Sequence, residues 1–247
     1  MKDVLGEGTV RFNDRLRALW ETRPEEMRQR VRTSLMLAPA VLAVVAIGGV
    51  WFNIMVLAAA VLMAFEWKTM TDNINDEEIV QKSWMWRGVA YIALGAGSLL
   101  WLRQLNVLED GYNGATVLIW VLCVVWATDI AAYFSGRAIG GPKLAPAISP
   151  GKTWAGLLGG MAAAAVIGGF FAIFKHMPSF VGLFFLSALI AAVAQGGDLL
   201  ESWIKRQCGV KDSGDLIPGH GGILDRVDGF VTAAPFVVIL LTLIGRP

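Results

Sequence analysis

Seven apolar runs dominate the chain, at roughly 34–50, 51–67, 88–102, 114–136, 154–174, 179–198 and 229–244. A helix crosses a bilayer with about 20 mostly apolar residues, or fewer where flanking side chains reach the interface or the bilayer thins. The pattern predicts an all-α fold, a polytopic membrane bundle of about seven spans. The first two runs are short and meet at Gly48-Gly49, which predicts a tight hairpin or a partly re-entrant pair; the run at 88–102 is the least distinct.

Composition agrees. Of 247 residues, 55% are hydrophobic and 17% charged, and the mean hydropathy is +0.57, too apolar for an ordinary soluble domain. The formal net charge of +1 gives no global basic field that would argue for nucleic acid. Cys123 and Cys208 have no metal-ligand spacing around them and read as two unpaired thiols. Residues 1–33 are polar and of mixed charge, unlike a cleavable signal peptide. Their Phe12, Leu16, Leu19, Trp20 and Met27 suit one face of an amphipathic helix on the membrane surface, or a plain solvated tail. Residues 34–113 then form amino-terminal spans and 114–247 the chemically equipped part.

Basic residues orient the bundle. With the amino terminus in the cytoplasm, only Arg103, Lys175 and Arg246 of the 21 Lys and Arg fall on the opposite side. An odd number of spans is expected, with the loops 137–152 and 199–228 facing the cytoplasm, where nucleotides and magnesium are available.

Those two loops carry the chemistry. If the sixth span continues as a helix, Asp198, Glu201, Ser202 and Lys205 share one face. They form either the wall of a cavity or a surface helix steadied by pairs such as Glu201 with Lys205. Further on, Pro218-Gly219-His220-Gly221-Gly222 leads into Asp225-Arg226-Val227-Asp228. Glycines let backbone N–H groups approach an anion, and Asp225 and Asp228 share a helical face. Asp198, Asp225 and Asp228 are candidate ligands for a hard divalent cation, and Lys205, Arg206, Lys211 and Arg226 candidate phosphate holders. His220 would bind phosphate or nucleotide, or transfer a proton. Asp129 lies inside the fourth span, where a carboxylate needs a partner or water. Gly151-Lys152-Thr153 tempts a P-loop reading, which fails because position 146 is Pro and because a helical membrane protein is expected to have no strand before it.

The run Ser202-x-x-Lys205-Arg206-x4-Lys211-Asp212-x-Gly214-x2-Ile217-Pro218-x-His220-Gly221-Gly222-x-x-Asp225-Arg226-x-Asp228 resembles the signature of the phosphatidate cytidylyltransferase family, also called CDP-diacylglycerol synthases. Asp129-x3-Tyr133-x2-Gly136-Arg137 and Ser149-Pro150-x-Lys152-Thr153 resemble the same family, so the likeness covers about 120–245. It implies that CTP and phosphatidate give CDP-diacylglycerol and pyrophosphate in phospholipid biosynthesis, at a bacterial inner membrane and with magnesium. It also implies potassium as a second cation and a homodimer. Asp198, Asp225 and Asp228 would hold metal. Lys205, Arg206, Lys211 and Arg226 would hold phosphates, and Ser202 and His220 would orient the triphosphate or a metal-bound water. Asp129, Tyr133, Arg137, Ser149, Lys152 and Thr153 would contact nucleotide or lipid phosphate. The alternatives are a CTP-dependent polyprenol or phytol kinase and, in another class, a membrane transporter.

Overall fold

The computed structural model describes residues 24–72, 74, 78–105, 113–175, 179–214 and 221–243. They form seven helices and one small hairpin: α1 (Pro24–Ile47), α2 (Gly49–Thr71), α3 (Glu78–Gln104), α4 (Gly114–Ala138), β1 (Lys143–Ala145), β2 (Ser149–Thr153), α5 (Trp154–Phe174), α6 (Phe180–Gln207) and α7 (Leu224–Leu243). Six of the helices, α2 to α7, are long and apolar enough to cross a membrane; in α1 the apolar part is only Leu35–Ile47. The expected all-α polytopic bundle is therefore present, but among the described residues it has six such spans rather than seven, an even number where the charge pattern predicts an odd one, because the apolar part of α1 is too short. The amphipathic segment built on Phe12, Leu16, Leu19 and Trp20 lies outside the described residues.

Each span shows a protein face and a lipid face. On α2, Phe52, Val56, Met63, Trp67 and Met70 are buried, at helical spacing, while Ile54, Leu57, Val61 and Phe65 are exposed. Such an apolar exterior suits hydrocarbon rather than water. The main core runs from Val45 and Phe52 through Leu102, Leu118 and Val124 to Ile190, Ala233 and Val237, so one packed interior joins the helices on both sides of residue 113. A second cluster, with Trp67, Trp84, Ile204 and Leu224, fills the end where α2, α4 and α6 finish and α3, α5 and α7 begin.

Small residues allow close helix crossings. A Cβ on Gly156 would sit 3.0 Å from the Ala132 carbonyl oxygen, and one on Gly160 3.0 Å from that of Thr128, so α5 lies backbone to backbone on α4. The Gly48-Gly49 junction is a sharp break, with both residues at positive φ (68° and 57°). Here Arg103, at the end of α3, donates Nε to Val45 O at 2.8 Å and Nη2 to Ala46 O at 3.3 Å. It thereby satisfies carbonyls that the end of α1 leaves open.

Between α4 and α5 the chain forms the antiparallel hairpin β1–β2, pairing Lys143 with Thr153 and Ala145 with Ser149. This corrects the expectation that no strand precedes Gly151-Lys152-Thr153: β2 contains those residues and runs directly into α5. Thr153 Oγ1 caps that helix by accepting from Gly156 N at 3.0 Å.

Candidate active site

At the end just described, five elements enclose a cavity of about 410 Å³. Helix α4 contributes Asp129, Tyr133 and Arg137, the hairpin Ser149, Lys152 and Thr153, α5 Gly156 and Leu157, α6 Gln195 and Asp198, and α7 Asp225, Arg226 and Asp228. These helices are fixed relative to one another by the close α4–α5 crossing and by ionic contacts between α6 and α7.

One polar chain crosses the cavity. Lys152 Nζ lies 2.5 Å from Asp198 Oδ2 and donates to Gln195 Oε1 at 3.2 Å; Gln195 Nε2 in turn donates to Asp129 Oδ1 at 3.1 Å. Hairpin, α6 and α4 are thus joined through a single ammonium and a single amide. Asp129, Asp198 and Asp228 lie within electrostatic reach of one another, opposed by Lys152 and, at Asp129, also by Arg226. Arg137 rests 4.2 Å from the centre of the Tyr133 ring, a cation–π contact on the cavity wall.

Behind the cavity is a buried ionic cluster. Lys205 Nζ donates to Glu201 Oε1 at 3.0 Å and to Asp225 Oδ1 at 2.5 Å, tying α6 to α7. Asp225 Oδ2 accepts from Ser213 N at 3.0 Å, Ser213 Oγ at 2.9 Å and Gly222 N at 3.0 Å. Both Asp225 oxygens are therefore taken by protein donors. Glu201 is fully buried, and its Oε2 has no hydrogen-bonding partner among the described residues. Ser202 Oγ lies 3.4 Å from Asp198 Oδ1.

Residues 77–244 match the profile of a family described as the cytidylyltransferase family. The chain belongs to the cytidylyltransferase family. Among curated relatives, a phosphatidate cytidylyltransferase of Brucella suis is 44% identical over 193 residues, covering 78% of this chain and 66% of the relative. One of Rickettsia bellii is 32% identical over 222 residues, covering 85% and 89%. One of Haemophilus influenzae is 46% identical over 143 residues, covering 56% and 50%. The matched stretch thus spans about two thirds of the Brucella relative's length.

Within this cytidylyltransferase-family chain, the sequence-predicted residues separate into three groups. Asp129, Tyr133, Arg137, Ser149, Lys152, Thr153, Asp198, Asp225, Arg226 and Asp228 come together on the cavity. Ser202, Lys205, Arg206 and Lys211 do not line it. Lys205 is held by carboxylates; Arg206 reaches Ile148 O at 3.4 Å and Val210 O at 3.0 Å, pinning the hairpin turn and the loop after α6; Lys211 is exposed. His220 lies outside the described residues. The pairing of Glu201 with Lys205, one of the two sequence readings, is present, but buried between helices rather than on a surface.

Sequence reasoning missed Gln195, Ser213 and Glu66. Gln195 and Glu66 each stand as a polar residue inside an apolar run, the signal that marks intramembrane polar groups as functional. Glu66, on α2, accepts from Ile223 N and Leu224 N at 2.8 Å each and from Ser213 Oγ at 3.2 Å.

For a metal, the fit is mixed. No group of three or more carboxylate, His or Cys side chains among the described residues forms a ready cage, and Lys152 occupies Asp198 while Lys205 occupies Asp225. The oxygen-only donor set suits a hard cation. The unpartnered Glu201 Oε2 lies within electrostatic reach of Asp228, a concentration of negative charge that a cation would relieve.

Proposed function

We propose that this chain is a phosphatidate cytidylyltransferase that converts CTP and phosphatidate to CDP-diacylglycerol and pyrophosphate in phospholipid biosynthesis. The observation that carries the reading is the convergence of Asp129, Tyr133, Arg137, Ser149, Lys152 and Thr153 with Asp198, Asp225, Arg226 and Asp228 on one charged cavity at the end of a membrane bundle. Membership of the cytidylyltransferase family and relatives of that name support it.

In this reaction a phosphate oxygen of phosphatidate attacks the α-phosphorus of CTP, and the bond from that phosphorus to the bridging oxygen of the β-phosphate breaks as pyrophosphate leaves. The attacking oxygen is already anionic, so little general-base help is needed. The barrier lies in bringing two anions together and stabilising the leaving pyrophosphate, which calls for fixed positive charge. Lys152, Arg226 and Arg137 are the cavity cations suited to that task, with Ser149 as a hydroxyl partner and Tyr133 beside the base or lipid headgroup. Ser202 steadies Asp198, while Lys205 and Arg206 position Asp225 and the hairpin rather than touching phosphate. Thr153 serves chiefly as the cap of α5. Lys211 and His220 are proposed, from the signature alone, to meet the outer phosphates.

Magnesium, when bound, supplies charge neutralisation to the triphosphate. Asp198 and Asp228 would hold it, with Asp129 and Glu201 Oε2 as further oxygens for that ion or for potassium. The basic residues at the cavity ends of the helices and in the loops there, among them Arg137, Lys143, Lys152, Lys205, Arg206, Lys211 and Arg226, against Arg103 and Lys175 at the other end, support a bacterial inner-membrane protein whose cavity faces the cytoplasm.

The test uses the purified chain in detergent with CTP, phosphatidate and magnesium. Pyrophosphate and CDP-lipid should appear together and be lost in Asp228→Asn. Release of CDP instead would mean a kinase, and absence of CTP turnover would overturn the enzymatic reading.

A further inference from the structure

The amino ends of three helices are capped by their own flanking residues. Asn113 accepts from Thr116 N on α4, Thr153 from Gly156 N on α5 and Ser179 from Gly182 N on α6, each at 3.0 Å. Helix α7 differs. It begins at Leu224 after Ile223, which has no side-chain oxygen to offer. Its first N–H groups are instead satisfied by Glu66, from a helix more than 150 positions earlier in the chain: Oε1 accepts from Ile223 N and Oε2 from Leu224 N. A carboxylate at a helix amino terminus is favoured both by these open donors and by the helix dipole.

The same carboxylate reaches the loop before α7. Ser213 Oγ lies 3.2 Å from Glu66 Oε2 and 2.9 Å from Asp225 Oδ2, so one hydroxyl proton is shared between two carboxylates. Gly222 fits this corner only because it lacks a side chain: a Cβ there would overlap Ser213 Oγ and crowd Glu66 Oε2. Glu66 is itself buried, 4% exposed, and does not line the cavity. Leu224, Asp225 and Asp228 occupy the first turns of α7, so whatever fixes Ile223 and Leu224 fixes the axial position and rotation of both acidic residues.

We propose that Glu66 is a positioning residue: a clamp from α2 that sets the start of α7, and with it Asp225, Arg226 and Asp228, without touching substrate. The catalytic part of this inference rests on the cytidylyltransferase reading above; the clamp does not. A small displacement of reacting groups lowers the chemical step far more than it weakens binding.

The experiment compares wild type, Glu66→Gln and Ser213→Ala as full chains in detergent, by amide hydrogen exchange without substrate and by steady-state kinetics. Glu66→Gln keeps the side-chain volume but places an amide N–H against a backbone donor. Exchange at Ile223 and Leu224 should become at least about tenfold faster while the second half of α7 is unchanged. In the same variant kcat should fall about tenfold or more, with KM for CTP within about threefold of wild type. Ser213→Ala should shift both readouts in the same direction by less. If Glu66→Gln does not fold, Ser213→Ala decides by the same two readouts. Wild-type exchange rates, or a kcat within about twofold of wild type, would overturn the proposal. If the wild type itself makes no CDP-lipid, the enzymatic reading falls and exchange alone judges the clamp: faster at 223–224 upholds it, unchanged sinks it.

Discussion

Lys152, on the hairpin, and Asp198, on α6, meet at 2.5 Å across the mouth of the cavity. Together with Arg206, which reaches Ile148 O in the hairpin turn, this pair ties the hairpin to α6. The Lys152 ammonium is a counter-ion for Asp198 and, in the proposed reaction, one of the cavity cations that would donate to an incoming phosphate.

Replacing Lys152 by Ala should leave Asp198 and Gln195 without this donor and raise KM for CTP by at least about tenfold, the scale of one charge-assisted hydrogen bond. Arg at this position should restore little, because a planar fork cannot stand in for a compact ammonium between an amide and a carboxylate. Initial rates at varied CTP concentration check both expectations.

Lys205→Met should destabilise the fold. It strips the cation from Glu201, which is fully buried, and from Asp225, and breaking a buried pair in this way costs about 3–5 kcal/mol. Adding Glu201→Gln to Lys205→Met should recover part of that loss. Thermal unfolding of the single and double variants in one detergent measures the coupling.

At the opposite end, Gly168 lies so close to α6 that a Cβ would collide with Ser187 Oγ and the Leu183 carbonyl oxygen. Gly168→Ala should therefore push α5 from α6 and lower stability by about 1–3 kcal/mol. Trp120 Nε1, which donates to Ser187 Oγ at 3.0 Å, would be disturbed with it. A drop in melting temperature larger than that of Gly151→Ala, where a Cβ meets nothing within 4 Å, is the expected result.

Cys208, just beyond α6, is buried, and burial pushes its thiol above the usual range. In a Cys123→Ser background, maleimide at pH 8 should label Cys208 slowly until denaturant is added. The sign for stability follows: below the ordinary thiol range both folded and unfolded states are protonated and pH has no effect through this group. As pH rises above that range the unfolded chain ionises first, so stability falls. Denaturant midpoints measured from neutral to alkaline pH for Cys208 and Cys208→Ala would reveal the difference.

The spans were legible because a bilayer demands long apolar runs, and even the weakest, now α3, proved to be a full helix of 27 residues. The hairpin was not. Its strands, Lys143–Ala145 and Ser149–Thr153, are short, have Pro142 before them, Pro146 between them and Pro150 inside the second, and hold no β-branched run, so they give no strand signal. The carboxylates and ammonium groups of the site were visible as types but not as partners. A lysine binds a phosphate or a carboxylate by the same chemistry, and only the fold reveals that Lys205 meets Asp225 while Lys152 faces the cavity. Glu66 stands out as an acid inside an apolar run, but two of its three partners are backbone N–H groups, which every residue possesses, so no sequence pattern shows what it binds.

Arg103 carries one of the few positive charges that the orientation rule sets on the far side, yet its guanidinium is spent on Val45 and Ala46 carbonyls. Helix α1, whose apolar stretch is short for a span, is consequently fastened to the bundle by a polar rivet as well as by its greasy surface. Excising α1 would do more than thin the bundle: it would take both carbonyl acceptors from Arg103, whose guanidinium would then have to turn to interfacial water at the end of α3.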